Sequence, residues 1–439
     1  MSRLGSQVTM LAIPLIAITV VKASTFEVGL LSAVEFAPFI IVGLPAGVWV
    51  DRLPKRPLLI VADTGRLVAL ATIPLAYELD GVTMAQLYIV AFVVGVLTVV
   101  FDVAYQSYLP VLVERDQLVD GNAKLAVSES ASTVVGPSVA GGLIDLIGAP
   151  LAVIADAASF GVSAVALLLV RRREPVVVRP APEHRSGMRA EIAEGLGYVL
   201  RHRLLRPIAC STATSNLFSS MTAAVVTIYM VRSLDMSPGL IGVTLGLGNV
   251  GFVLGALLSG RISTRLGVGP TIVWSMALCG FGFLLLPLAT RSMPMPWLVA
   301  GNFLFAFGGP VYNIAQVSLR QAITPYRLQG RMNASMRFVV WGTMPIGSIL
   351  GGILGTWLGL RPTLVIAGVG GTSAFLWVAL SAVPSVQVIP ENEDGDAEAE
   401  AAASSGREEG GDPPPGIGGV VGPVSGSGGV MDEAVLRLG

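Results

Sequence analysis

Apolar stretches of about the length a helix needs to cross the hydrocarbon core of a bilayer, roughly 20 residues, follow one another along most of this chain, separated by short polar breaks. The pattern predicts twelve such helices, at 4–21, 28–50, 58–79, 84–110, 124–147, 149–170, 208–231, 239–259, 270–290, 296–319, 336–358 and 361–383. The stretches are too long and too continuous for the alternating strands of a membrane barrel, which run to about ten residues. The first lacks a small-residue cleavage site and is followed at once by others, so it reads as a retained span rather than a signal peptide.

The polar breaks are of two kinds. Arg3 and alternate breaks hold 21 Lys and Arg residues, among them Arg52, Lys55, Arg56, Arg171 to Arg173, Arg327 and Arg331, whereas the other breaks hold four: Lys22, Arg232, Arg291 and Arg361. Basic loops are retained on the cytoplasmic side during insertion, so both termini are expected in the cytoplasm, and the membrane expected is the bacterial cytoplasmic (inner) membrane. The break at 171–206 is long, holds nine Arg and begins with the Pro-containing Glu174 to Pro180. It reads as a cytoplasmic linker whose second part, from Arg189 to Arg206, can form an amphipathic helix at the membrane surface, with Ile192, Leu196, Val199 and Leu200 on one side. The stretch 384–439 is acidic and then rich in Gly, Pro and Ser, a composition that cannot bury enough apolar surface to order itself.

Sliding the chain against itself brings two halves into register at an offset of 211 to 213 residues. Gly29 falls on Gly242, Gly47 on Gly260, and Arg52-Leu53 on Arg265-Leu266; Phe101 to Ala104 falls on Tyr312 to Ala315, and Gly136, Gly141 and Gly148 fall on Gly347, Gly352 and Gly359. Six spans are thus used twice, in the same topology. Transporters so built relate their halves by an axis along the membrane normal and bind substrate near mid-membrane at the interface. The predicted fold class is an all-α membrane protein of twelve transmembrane helices in two six-helix bundles. Its expected parts are an N-terminal bundle (1–170), the linker (171–206), a C-terminal bundle (207–383) and a disordered cytoplasmic tail (384–439).

Composition narrows the function. Apolar residues make up 53% and charged residues 13%, against the roughly 25% charged of a water-soluble domain. The formal charge of -1 hides two unlike parts, because 11 of the 29 acids lie in 384–439, leaving 26 basic against 18 acidic residues, a net of +8, before it. That excess lies in short loops and suits anionic lipid headgroups rather than nucleic acid. Cys210 and Cys279 sit inside separate apolar stretches without metal-ligand spacing, and His184 and His202 both lie in the linker. With no phosphate-binding glycine loop carrying a Lys, the sequence offers no cofactor, no metal site, no catalytic constellation and no ATP-driven step of its own.

Between the second and third stretches stands Gly47-Val48-Trp49-Val50-Asp51-Arg52-Leu53-Pro54-Lys55-Arg56. Here the chain resembles the major facilitator superfamily, whose signature in this loop is G-x-x-x-D-R-x-G-R-[RK], with Pro54 standing for the second Gly. A second copy runs from Gly260 to Gly267 with Thr264 in place of the Asp. The resemblance implies a latch closing the halves in the outward-facing state, formed by Gly47, Asp51, Arg52 and Arg56, with Asp102 of the fourth span as the acid that Arg52 or Arg56 meets. The fifth span carries Gly136-Pro137-Ser138-Val139-Ala140-Gly141-Gly142, similar to the G-P-x-x-G-G signature of family exporters but one residue longer; plain helix packing by small residues is the alternative. The fourth span lacks the Arg that many proton-coupled drug exporters of the family carry. The runs Leu4 to Gln7 and Asp156 to Phe160, with Leu109-Pro110 before Asn122, resemble the enterobactin-exporter-like branch, the transmembrane secretion effectors. The first span begins nearer Met1 than is usual there, compatible with an earlier start codon.

Ionisable residues inside a membrane are costly and are functional candidates by default. Glu35 and Asp156 would lie about 10 Å inside the outer edge at about 1.5 Å per residue, where a carboxylate out of water can accept and release a proton; Glu129 is the third candidate. Their counterparts in the second half are uncharged, Gly248 for Glu35, Val340 for Glu129 and Ala367 for Asp156. Helix-to-helix hydrogen bonding is the competing reading for Glu35 and Asp156, as it is for Asn216, Asn249 and Asn302, which could instead line the cavity. Asp63 and Arg66, three apart on one helix, are expected to pair with each other. The function expected is proton-coupled export of a hydrophobic or amphipathic small molecule by alternating access, by a monomer whose partners are substrate, protons and lipid. Uptake or facilitated diffusion is the alternative within transport, and a transport-inactive scaffold or sensor the alternative outside it.

Overall fold

A computed structural model describes residues 2–43, 50, 53–112, 118–170 and 188–388. Thirteen α-helices lie among them: α1 (Ser2–Thr19), α2 (Thr25–Ile41), α3 (Lys55–Glu78), α4 (Met84–Leu112), α5 (Leu118–Ile147), α6 (Ala149–Leu169), α7 (Met188–Arg201), α8 (Leu205–Ile228), α9 (Pro238–Leu266), α10 (Val268–Leu285), α11 (Pro294–Ala322), α12 (Tyr326–Trp357) and α13 (Leu360–Ala379). Eleven are long and apolar enough to cross a membrane, and α2 adds 17 described residues ahead of the undescribed stretch 44–49. The architecture fits the twelve spans and two bundles that the hydrophobic pattern predicts, with α7 as the shorter, extra helix. The backbone logic is that of any membrane helix, since no water is present in hydrocarbon to satisfy N–H and C=O groups left outside a helix.

Successive spans alternate in direction, which defines a near end, where α1 begins, and a far end. Within the first half α1 packs on α5 and α6, α3 on α4 and α6, and α2 on α4; within the second half the repeat-related pairs recur, α8 on α12 and α13, α10 on α11 and α13, and α9 on α11. The repeat extends to the turns. Gly148 and Gly359 both hold the left-handed region, at φ 83° and 91°, directly before α6 and α13, and Lys22 and Asp235, also related by the repeat, take φ 60° and 58°. Such values suit glycine and cost a side-chain-bearing residue strain.

The buried apolar residues form three cores. One, at the far end, fuses the two halves: it joins Leu15, Leu31, Leu70, Leu87 and Ile144 of the first with Ile228, Ile241, Phe283 and Leu364 of the second. The other two lie at the near end and belong to one half each, Leu59, Ala104 and Tyr108 in the first, and Leu205, Ile272, Leu319, Met336 and Val378 in the second. The halves are therefore packed together at the far end and have separate cores at the near end.

The linker helix α7 is part of the second half's packing. It lies on α12 and α8 with Gly195 and Val199 buried, and Arg331 donates to Glu194 at 2.5 Å. Residues 386 and 387 run beside the start of α10, their carbonyls accepting from Gly269 and Val268. Of the stretch expected to be a disordered tail, 389–439 lies outside the described residues, as does 171–187 of the linker.

Candidate functional site

Among the described residues, the main packing between the halves runs along two seams, α2 against α12 and α5 against α9. Each is built on a glycine pair that brings backbone to backbone. A Cβ added to Gly29 would lie 2.6 Å from Cα of Gly352, and one on Gly141 would lie 2.9 Å from Cα of Gly242. The repeat maps Gly29 onto Gly242 and Gly141 onto Gly352, so each seam is the other's image. The exporter-like run is thus part of a seam: Gly136 receives the Gln7 side chain of α1, Gly141 meets α9, the Ser138 hydroxyl donates to the Gly242 carbonyl at 3.4 Å, a Cβ on Gly242 would strike the Pro137 carbonyl, and Gly142 faces open space. Deeper in the same seam, Asn249 donates to the Thr133 carbonyl at 2.9 Å, and across the other, Phe39 meets Trp341 edge to face at 5.4 Å.

Polar ties reinforce the far end. The Asp145 carboxylate, at the end of α5, accepts from the backbone N–H of Gly239 at 2.9 Å and from the Ser237 hydroxyl at 3.4 Å, placing an anion at the N-terminus of α9. The positive end of a helix dipole and its unpaired N–H groups favour that arrangement. Arg232 reaches from the second half to the Ala23 carbonyl at 2.6 Å. Neither residue stood out in sequence reading. A signal existed: α2 carries its own acid, Glu27, which closes a capping box with Ser24, whereas α9 has Ser237 as cap and Leu240 at the matching place.

The first half holds a buried charged cluster. Asp63 and Arg66 pair at 2.5 Å with side chains 0% and 5% exposed, and the guanidinium lies between the rings of Phe101 and Phe160, 4.3 and 4.1 Å from their centroids. Delocalised, weakly hydrated charge suits such aromatic faces. Asp156 is buried between α1 and α6, accepting from Thr9 at 2.5 Å and Ser159 at 3.2 Å. The Thr9 bond runs from α1 to α6 and the Ser159 bond lies within α6.

Glu35 differs. It presents open surface although α4, α8 and α12 pack on its helix, and its carboxylate has no hydrogen-bond or ion-pair partner among the described residues. Glu129, on α5, is likewise exposed. Of the latch residues, Gly47, Asp51 and Arg52 lie outside the described residues. Asp102 accepts from Arg3 at 3.3 Å, a pairing that the family pattern does not anticipate. Arg56 donates to the carbonyls of Leu167 and Leu168 at 2.8 and 2.7 Å, satisfying backbone acceptors at the end of α6. The asparagines join helices: Asn216 donates to Val340 O, and Asn302 to Leu245 O and Asn249 Oδ1.

Within the second half, α8, α9, α10 and α11 enclose a cavity of about 230 Å³ lined by Ser220, Val226, Phe283, Leu298, Asn302 and Phe305 among others. Its wall is mainly apolar, with Ser219, Ser220, Thr222, Thr244 and Asn302 as its polar residues. Among the described residues no group of three or more His, Cys, Asp or Glu is placed to hold a metal ion.

Residues 1–406 match the family described as transmembrane secretion effector. The chain belongs to that family. It is a multi-pass transporter of the major facilitator type, so its fold and family are those of membrane transporters rather than enzymes, and it works in lipid on a small molecule. Relatives of this secretion-effector chain include the MFS-type transporter YfiS of Bacillus subtilis (strain 168), 24% identical over 377 residues, covering 84% of this chain and 87% of that one. The multidrug efflux pump Tap of Mycolicibacterium fortuitum is 23% identical over 374 residues, covering 82% and 88%. Among solved structures, a bacterial homologue of the iron transporter ferroportin in the inward-facing state shares the fold at a TM-score of 0.64 and 17% identity, covering 86% of this chain and 96% of that one. A bacterial homologue of the lysosomal transporter Spinster, inward-facing and unoccupied, does so at 0.62 and 15%, covering 88% and 96%.

Proposed function

We propose that the protein exports a hydrophobic or amphipathic small molecule by alternating access, driven by proton entry, and that the arrangement described is its inward-facing state. The observation that carries the reading is the asymmetry of the cores: one core and two glycine seams fuse the halves at the far end, while each half keeps its own core at the near end. The excess of Lys and Arg in the near-end loops makes that end cytoplasmic in the proposal, with both termini there, in a bacterial inner membrane. Export is supported by the similarity to the Tap efflux pump and by the Gly136 to Gly142 run lying on a seam.

The cycle follows from this geometry. Substrate enters from the cytoplasm between the separated near ends; the apolar cavity of the second half receives an apolar group, with Asn302 and Ser220 able to orient one polar atom. Outward opening then requires the seams to part and the Asp145 and Arg232 ties to break, while the latch expected from the family resemblance, Gly47, Asp51, Arg52, Arg56 and Asp102, closes the near end. Glu35 is the proposed proton or substrate carboxylate, because it is open and without a partner among the described residues on a helix, α2, that belongs to a seam that must move and on which α4, α8 and α12 also pack. Asp156, engaged by Thr9 and Ser159, is assigned to holding α1 on α6, and Glu129 to the open surface of α5.

The test is efflux of a panel of lipophilic compounds from proteoliposomes with and without a pH gradient, for wild type and Glu35→Gln. Gradient-driven efflux that the variant loses is expected. Gradient-independent movement unchanged in the variant would replace the proposal with facilitated diffusion, and movement of no compound would favour a scaffold or sensor.

A further inference from the structure

A groove of about 950 Å³ opens on the second half between the start of α8 and the end of α13, at the near end. Arg203 and Arg206 stand at one side of it, and Leu376, Trp377 and Leu380 form the other, with Cys210 in the groove. Both arginines are exposed, and neither guanidinium has a hydrogen-bond or carboxylate partner among the described residues. Leu376, Trp377 and Leu380 are 44%, 52% and 84% exposed, as side chains facing lipid are. The Trp377 indole N–H donates to the Thr214 hydroxyl of α8 at 3.1 Å, which fixes the ring across the groove.

An apolar wall that ends at an interfacial tryptophan and two unpaired cations matches one chemistry. We propose that this groove binds an anionic phospholipid, its phosphate held by Arg203 and Arg206 and one acyl chain lying along Leu376, Trp377 and Leu380. Guanidinium presents paired donors to phosphate oxygens, basic pockets between membrane helices take acidic headgroups, and tryptophan settles where headgroup meets hydrocarbon. The first turn of α8 adds the positive end of its dipole to the same place. The occupant would bridge α8 and α13, which pack on each other within the second half, so it would brace that half at its near end.

The full-length protein is placed in nanodiscs of phosphatidylcholine, with or without phosphatidylglycerol, and two quantities are read: lipid retained on the detergent-extracted protein by native mass spectrometry, and maleimide modification of Cys210 by peptide mass spectrometry. Cys279 is buried and serves as the unreactive reference. With two arginines facing one phosphate, phosphatidylglycerol should be retained over phosphatidylcholine by roughly thirtyfold in affinity and should slow labelling of Cys210. Arg203→Gln combined with Arg206→Gln should abolish both effects, while Arg261→Gln combined with Arg265→Gln, on the near end of α9, should leave them intact. Equal retention of the two lipids, retention surviving in the first double variant, or equal loss in the second would overturn the proposal. So would inorganic phosphate alone protecting Cys210 as well as the lipid, since the site would then be one for free phosphate. Should the first double variant fail to fold, wild type with brominated phosphatidylglycerol decides: quenching of tryptophan fluorescence beyond that by brominated phosphatidylcholine, and removed by Trp377→Phe, supports the site, and its absence refutes it.

Discussion

The α2–α12 seam and the α5–α9 seam have the same glycine contact, placed there twice by the internal repeat, yet they are tied differently. At the first, the helix that starts at the far end caps itself: Ser24 and Glu27 satisfy each other's backbone groups within α2. At the second, Ser237 caps α9 and the acid comes from the opposite half, Asp145. A charge that lies within one helix stabilises that helix in every state of the cycle, whereas a charge that lies across a seam stabilises only the state in which the seam is closed. The repeat gives both seams the same backbone contact, and different residues at the helix starts give one of them a tie that crosses between the halves. The halves repeat the contrast at larger scale, because buried carboxylates and Arg66 lie in the first half while Asn313, Gln316, Arg320 and Asn333 form a hydrogen-bonded network without an acid in the second.

The largest effect should come from the charge that only the first half has. Arg66→Ala leaves Asp63 buried without its cation and should cost about 3–5 kcal/mol, seen as lost folded yield and a lower unfolding temperature in detergent. Arg320→Gln, whose partners Gln316 and Asn333 are neutral, should cost distinctly less. Equal losses would mean that the halves are not chemically unlike in the way described.

Next come the glycines. Gly141→Leu overpacks a backbone contact between halves, and under the proposed alternating access the cost of about 1–3 kcal/mol should appear as a shift away from far-end closure rather than as unfolding. Spin-label distances across the far end should lengthen, and Gly29→Leu should match it because the repeat makes the seams equivalent. Gly142→Ala should change neither, since nothing lies within 4 Å of its added carbon. A smaller effect is expected from Asp145→Asn, which keeps an acceptor oxygen and removes the charge, weakening far-end closure by about 0.3–1 kcal/mol. Glu27→Gln should leave the far-end distances unchanged; a shift of equal size would erase the distinction between self-capped and cross-capped helices.

The smallest effect concerns the near end of the second half. His202 Nδ1 accepts from the backbone N–H groups of Leu204 and Leu205 at 3.2 and 3.3 Å, so it caps the start of α8 in its unprotonated form. Burial lowers its pKa from the usual 6.5. The unfolded chain therefore takes up the proton first, and the stability contributed by neutral His202 is complete above about pH 6.5 and declines as pH falls below it. Thermal unfolding of wild type should be more acid-sensitive in that window than that of His202→Ala.

The spans were legible because hydrocarbon imposes a length and a polarity that no other environment does. The repeat was legible too, and it named both members of each glycine pair, but as equivalents within the chain; that Gly29 touches Gly352 follows only from how the halves dock. Asp63 with Arg66 could be read from a spacing of three on one helix. Asp102 could not be matched to Arg3 in the same way, since their partnership spans 99 residues and depends on α1 lying beside α4. Asp145 and Arg232 escaped notice because their chemistry resides in backbone groups across the seam, and backbone leaves no letter in the sequence.

That last point bears on how such a protein can change its cargo. In the proposed cycle the tightest points of closure are glycine against glycine, and those two contacts carry no side chains with which to choose. In that cycle, substitutions that reshape the proposed substrate cavity near Phe283, Asn302 and Phe305 alter what is carried and leave the closing glycines untouched, so selectivity and gating can evolve as separate traits in one chain.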